Sequence, residues 1–141
     1  MIMKVKLVHP DAKLPAYAHE GDAGLDICSV ESYTLKPGER KLFKTGICYE
    51  LEPGYVSLIW DRSGLAFKHG IKTMGGVIEY TYRGELGIVL LNTSNVEFHV
   101  EKGDRIAQML IQPITTAKIE ESEEFSESSR GENGFGSSGR K

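Results

Sequence analysis

The sequence predicts an all-β fold, a sandwich or a barrel. Three observations carry that expectation: apolar residues recur with a period of two over short runs, turn residues separate those runs at even spacing, and no long helical period occurs in the 141 residues. A chain of this length is one domain with one core.

Lys4 to Val8 alternates Lys4 and Lys6 with Val5 and Leu7, which predicts a strand with one buried face. After a loop with Pro15, Gly21, Asp22 and Gly24 bend the chain before Leu25, Ile27 and Val30 resume apolar packing. Asp26 stands between two of these apolar residues, either pointing to solvent from a strand or directed into a polar site. Tyr33 to Leu35 and Lys41 to Leu51 stay strand-like, separated by KPGE at Lys36 to Glu39, where Pro37 fixes φ and Gly38 supplies a positive one. A second turn, EPGY at Glu52 to Tyr55, leads into Val56 to Trp60.

Asp61 to Ile71, DRSGLAFKHGI, predicts the one helical turn, with Ser63 as N-cap and Gly70 as stop. Its free N–H groups, the Ser63 hydroxyl, the Gly64 amide and the Arg62 guanidinium would converge on an anion. A Ser at an N-cap also needs no ligand to explain it. Asn92 to Asn95 predicts a polar turn, Val96 to Val100 a strand, and the apolar run around Ile106, Met109 and Ile111 a strand buried on both faces. Gln108 interrupts that run, so its amide needs a partner, either neighbouring backbone or a ligand or water.

Between the helix and these strands lies GGVIEYTYRGELGIVLL, Gly75 to Leu91. Its pattern predicts a β-hairpin, with Gly76, Val77 and Ile78 on one arm and Leu86 to Leu91 on the other. The glycines permit close backbone approach, and the backbone groups of such a bend can read a flat polar heterocycle. Either the tip is simply charged and solvated, or Tyr82 would pack beside the attached group, with Glu79 facing the adjoining chemistry.

Composition excludes several classes. A net charge of −3 gives no reason to expect nucleic acid as a partner. No apolar run approaches the ~20 residues of a membrane span, and MIMKVKLVHP is too short and polar for a signal peptide. Cys28 and Cys48 lie in no metal or redox spacing and are expected as reduced core residues of a cytoplasmic protein. His9, His19, His69 and His99 are too scattered for a histidine metal site. After Ile119 the chain turns acidic and serine-rich, which predicts a barrel over 1–119, an extended linker over 120–129 and an arm over 130–141. The arm sets Arg130 and Phe135 among small residues whose amides can approach an anion.

Five segments, AGLDICS at Ala23, RSGLAFKHG at Arg62, GVIEYTYRGE at Gly76, GDRIAQ at Gly103 and RGENGFGSSG at Arg130, together resemble the five motifs of the trimeric dUTP diphosphatases (dUTPases). The resemblance spans nearly the whole chain. It implies a distorted jelly-roll β-barrel with one short helix, a homotrimer whose sites draw on all three subunits, and a flexible C-terminal arm. It implies hydrolysis of dUTP to dUMP and pyrophosphate with Mg²⁺, by attack of water on the α-phosphate, which limits uracil in DNA.

By the same resemblance, main-chain groups around Gly76, Val77, Ile78 and Gly87 would hold uracil, and Tyr82 would stack on the deoxyribose and exclude a 2′-hydroxyl. Arg62, Ser63 and Gly64 would take phosphates, Gln108 would bond near the α-phosphate, and Asp26 would act on the Mg²⁺ sphere through water. Phe135 would cover the uracil while Arg130, Gly136 and Ser137 close on the outer phosphates. The carboxylate that readies water would be Glu79.

The sequence departs from the family pattern at several places. Glu79 stands where the family has Asp, and Thr81 where a second Asp is usual; an added methylene moves the carboxylate by roughly an ångström, worth on the order of 10²-fold in rate. Asp61 stands where a proline often precedes the arginine, Asn133 replaces a glycine, and Ser138 replaces a threonine. A dUTP-binding module with weak or no hydrolysis is therefore the rival reading, with Glu79 its support. A dCTP deaminase would need a catalytic glutamate near Val89, where this chain is apolar.

Overall fold

A computed structural model describes residues 1–141. Eleven strands and one helix follow in the order β1 (Lys4–Leu7), β2 (Leu25–Cys28), β3 (Tyr33–Leu35), β4 (Arg40–Lys44), β5 (Ile47–Glu50), β6 (Tyr55–Trp60), α1 (Ser63–His69), β7 (Ile71–Met74), β8 (Val77–Glu79), β9 (Gly87–Asn92), β10 (Phe98–Val100) and β11 (Arg105–Pro113). Every ladder is antiparallel. The strands form a four-stranded sheet β2-β11-β6-β8, a three-stranded sheet β4-β9-β7, and the pairs β1-β5 and β3-β10.

Alternation places one face of each larger sheet inside. Leu25 and Ile27 of β2, Phe43 of β4, Ile47 of β5, Ile88 and Leu90 of β9 and Met109 of β11 meet in one cluster of 16 buried residues, so the chain has a single core. The turns expected from KPGE and EPGY are present, with φ of 77° at Gly38 and 90° at Gly54. Gly70 ends α1 in the left-handed conformation, φ 66°, with its N–H donating back into the helix.

Four expectations are corrected. The continuous strand from Lys41 to Leu51 is broken into β4 and β5, because Gly46 turns the chain at φ 70°. β1 has an only partly buried inner face, with Val5 half-buried against the core cluster and Leu7 exposed, because the core reaches the first half of the strand and not its end. Cys28 and Cys48 are free but only half-buried, not core.

The fourth concerns Gly75 to Leu91, which is not a hairpin. β8 pairs with β6 and β9 pairs with β4 and β7, so the two arms lie in different sheets. Gly75, at φ 65°, turns the chain out of β7, and Gly76 then lies so close to β6 that a Cβ there would sit 2.4 Å from the Ile59 carbonyl oxygen. The Ile59 N–H donates to the Gly76 carbonyl at 2.8 Å and fastens the crossing. The segment therefore steps from one sheet to the other and back.

After Pro113 the chain forms no further helix or strand, and residues 114–141 are exposed. No helix is long and apolar enough to cross a membrane.

Candidate active site

Register brings the first two predicted residues together. Asp26 of β2 lies directly opposite Gln108 of β11, and antiparallel partners share a face. On its other side Gln108 pairs with Trp60, the last residue of β6 before the turn into α1. Arg62, Ser63 and Gly64 follow at once, so four chain segments meet around one open cleft of about 530 Å³.

The cleft is lined by Asp26, Arg62, Ser63, Gly64, Gln108 and Arg105, with Asp22 and His19 on its rim. Asp26 is largely buried and sits between two guanidinium groups, 3.6 Å from Arg62 Nε and 3.3 Å from Arg105 Nη1. Arg62 also donates to the Arg105 carbonyl at 3.3 Å, which ties the helix start to β11. Gln108 Nε2 donates to the Asp61 carbonyl at 2.7 Å, so backbone supplies one of the partners its amide requires. Gly24 lies against the Gln108 side chain, and a Cβ there, 2.3 Å from Gln108 Oε1, would displace that amide.

The N-cap is Arg62 and not Ser63. Arg62 has extended φ and ψ of −84° and 127°, its carbonyl accepts from Ala66, and no side chain caps the helix. Ser63 thereby becomes the first helical residue, with its hydroxyl free of any bond within the chain.

The second group of predicted residues lies apart. None of Gly76, Val77, Ile78, Glu79, Tyr82 and Gly87 lines this cleft. Glu79 ends β8 opposite Val56, exposed and without an ion pair in the chain. The strand beneath it is fixed by a buried relay: Tyr49 and Ser57 share a hydrogen bond of 2.6 Å, and Ser57 donates to the Ile78 carbonyl at 3.1 Å. Burial raises the Tyr49 phenol above its ordinary pKa, so it stays protonated. Gly87 packs on Leu42, whose Cδ1 would lie 2.5 Å from a Cβ. Tyr82 folds back over Gly84 and donates to the Glu85 carbonyl at 2.9 Å.

The third group, Arg130, Phe135, Gly136 and Ser137, also lies off the cleft. Its hydrogen bonds are local, such as Arg130 Nε to the Asn133 carbonyl at 2.7 Å, and Phe135 is fully exposed.

One chain thus carries a cationic cleft, a separate glycine-lined bend with a free carboxylate, and an exposed C-terminal segment. A family model described as dUTPase matches residues 10–139, nearly the whole chain. The chain belongs to the dUTPase family. Deoxyuridine 5'-triphosphate nucleotidohydrolase of Clostridium novyi (strain NT) is 52% identical over 141 residues, covering 99% of both chains. Among solved structures, the dUTPase of Staphylococcus bacteriophage 80alpha with dUPNHPP superposes with a TM-score of 0.94 at 35% identity, covering 99% of both chains. A mutant dUTPase from phage phi11 of S. aureus, described with a structural Mg(II) ion, superposes at 0.85 with 29% identity, over 90% of this chain and 100% of its own. With these neighbours the fold is the all-β jelly roll of the dUTPases.

Two residues, one in this cleft and one beside it, escape a reading of the sequence. Arg105 belongs to GDRIAQ, but a strict alternation along β11 would set it on the face of buried Ala107 and Met109. The ladder is bulged there: Arg105 pairs with Cys28 and Ala107 with the adjacent Ile27, so Ile106 is inserted and Arg105 turns to the face of Asp26 and Gln108. Asp61 is the other. Its carboxylate accepts from the Thr73 N–H, the Thr73 hydroxyl and Lys72 at 2.6, 2.7 and 2.9 Å. Burial alone would raise its pKa, but these donors outweigh it and hold the carboxyl below its ordinary value.

Proposed function

We propose that this protein hydrolyses dUTP to dUMP and pyrophosphate at sites completed between three copies of the chain. The observation that carries this reading is the Asp26 cleft, with Arg62, Arg105, Ser63, Gly64 and Gln108 around it. It is a phosphate-binding half-site in a chain of the dUTPase family, and its base-binding half, Gly76 to Gly87, lies outside that cleft.

Assembly accounts for the separation. Leu42, Val89 and Met74 are directly opposite one another across β4, β9 and β7, and this row faces outward, with Leu42 58% and Met74 41% exposed. Trp60 and Val77 are also more than half exposed. An apolar row on a sheet face suits contact with another copy. Each site would then take the cleft from one copy, Gly76 to Gly87 from a second, and the arm from a third.

In such a site the main chain of Gly76, Val77, Ile78 and Gly87 binds uracil, and Tyr82 lies against the deoxyribose where a 2′-hydroxyl would clash. Arg62, Ser63 and Gly64 bind phosphate oxygens, with Gln108 near the α-phosphate. Phe135 covers the base, and Arg130, Gly136 and Ser137 close on the outer phosphates. Glu79 orients a water and accepts its proton as the water oxygen attacks the α-phosphorus; the bond from that phosphorus to the bridging oxygen breaks and pyrophosphate leaves.

Mg²⁺ suits this donor set. The ion characteristically keeps several waters and takes one or two carboxylates together with substrate phosphates. Asp26 is such a carboxylate, and no trio of ligating side chains forms a protein cage. When bound, Mg²⁺ would offset charge on the triphosphate, and Asp26 is the residue that would hold it. A cytoplasmic location fits a substrate that is a DNA precursor and a chain with free cysteines.

The nucleotidohydrolase name of the Clostridium novyi relative favours hydrolysis over binding alone. The test is pyrophosphate release from dUTP, dCTP, UTP and dTTP with products identified, on the whole chain and on one truncated before Arg130. Turnover of dUTP alone, lost on truncation, is expected. Ammonia from dCTP, or no turnover of any nucleotide, would reject the assignment; undiminished turnover by the truncated chain would reject the lid.

A further inference from the structure

Asp61 does not line the cleft, yet it touches three of the elements that build it. It sits between the end of β6 and the start of α1, one residue before Arg62. Its carboxylate is held on β7 by both donors of Thr73 and by the Lys72 ammonium. Thr73 is itself buried and paired with Leu90 in the middle of the other large sheet. The Asp61 carbonyl meanwhile receives the Gln108 amide from β11.

An exposed ion pair would leave the turn free to move with its side chains. Here one of the donors is a backbone N–H and another a hydroxyl on a buried β-branched residue, so the acceptor position is fixed by the sheet itself. The amide of Gln108 has two N–H groups, and the Asp61 carbonyl takes one, leaving the second for a ligand in the cleft. The direction in which Arg62 leaves the turn and the orientation of the Gln108 amide are then set by the same residue.

We infer that Asp61 is a positioning residue for phosphate binding: it pegs the turn onto β7 and thereby aims Arg62 and Gln108 at the same part of the substrate. This inference rests on the reading that Arg62 and Gln108 contact the phosphates. It adds a residue to that site, at a position where a proline would do the task by stiffness and not by anchoring.

The test compares binding of dUpNHpp and of deoxyuridine, by calorimetry, to the intact protein and to Asp61→Asn, Asp61→Ala, Lys72→Met and Arg62→Gln. Asp61→Asn is expected to weaken dUpNHpp by about tenfold and to leave deoxyuridine within about twofold, with Asp61→Ala larger and Lys72→Met smaller. A residue that only stabilised the fold would lower both ligands together or shift the melting temperature alone, and that result overturns the inference. If Asp61→Ala does not fold, Asp61→Asn and Lys72→Met decide. Should Arg62→Gln lose dUpNHpp while both Asp61 variants keep it, the inference fails and the phosphate reading stands. Should Arg62→Gln bind dUpNHpp unchanged, the phosphate reading fails and the inference goes with it.

Discussion

Gly84→Ala tests how the sugar side of the site is shaped. Gly84 lies outside the left-handed region, so its backbone does not require glycine. What requires it is Tyr82, whose ring folds over it: a Cβ would lie 2.4 Å from the phenolic oxygen and 2.6 Å from Cζ. To reach ordinary van der Waals contact the ring must move by about 1 Å, and the bond from its hydroxyl to the Glu85 carbonyl is strained or lost. Tyr82 is 45% exposed, so the cost to folding is about 1 kcal/mol or less. The cost to catalysis is larger, because a displacement of about 1 Å in a positioned group is worth on the order of 10²-fold. Steady-state kcat/KM for dUTP and UTP, measured by pyrophosphate release beside a thermal melt, should show dUTP falling by about 10²-fold. UTP should change little, so discrimination shrinks while the fold survives. A folded variant that keeps the dUTP to UTP ratio would show that Tyr82 does not shape the sugar pocket.

Glu79→Asp is expected to raise kcat with little change in dUTP affinity, and equal or lower turnover would show a site tuned for glutamate. Gly76→Ala sets a Cβ 2.4 Å from the Ile59 carbonyl and should destabilise the chain by about 1–3 kcal/mol in urea melts. Acid stability follows from Asp61 and from Glu31, which accepts from the Lys44 N–H and Lys41 and is also held below its ordinary pKa. With folded values below unfolded ones, the unfolded chain binds more protons through the acid range. The stabilisation is therefore full above the ordinary carboxylate range and lost as pH falls through the folded values. Melting temperatures taken downward from neutrality should fall less steeply in Asp61→Ala than in the native chain.

Local chemistry was legible in the sequence wherever one or two residues decide it. The turns read at Gly38 and Gly54 are present, Gly38 with the positive φ expected of it, and α1 ends at Gly70 as expected. Asp26 and Gln108 were each open between a bland and a functional reading, and their direct pairing across β2 and β11 shows why neither could be settled alone. Pairing between distant strands was not legible. An apolar run, glycines and a second apolar run describe a hairpin and a step between sheets equally well. What selects the step is contact of Gly76 with Ile59 and of Gly87 with Leu42, partners far away in the chain.

Arg105 shows the same limit inside the site. Side-chain direction in a strand is read by counting in twos, and an inserted residue reverses the count without leaving a mark in composition. Ile106 and Ala107 are both buried, which a regular strand facing one core does not allow, and that adjacent pair is the trace of the bulge. The reversal matters for the charge of the cleft. Without it Asp26 would face Arg62 alone, and the pair would be neutral overall. With Arg105 on the same face Asp26 is shared between two guanidinium groups, and that trio carries one net positive charge on which the proposed phosphate binding would draw. A single extra residue in β11 thus converts an ordinary ion pair into a cluster with net positive charge, which is what the proposed phosphate site requires.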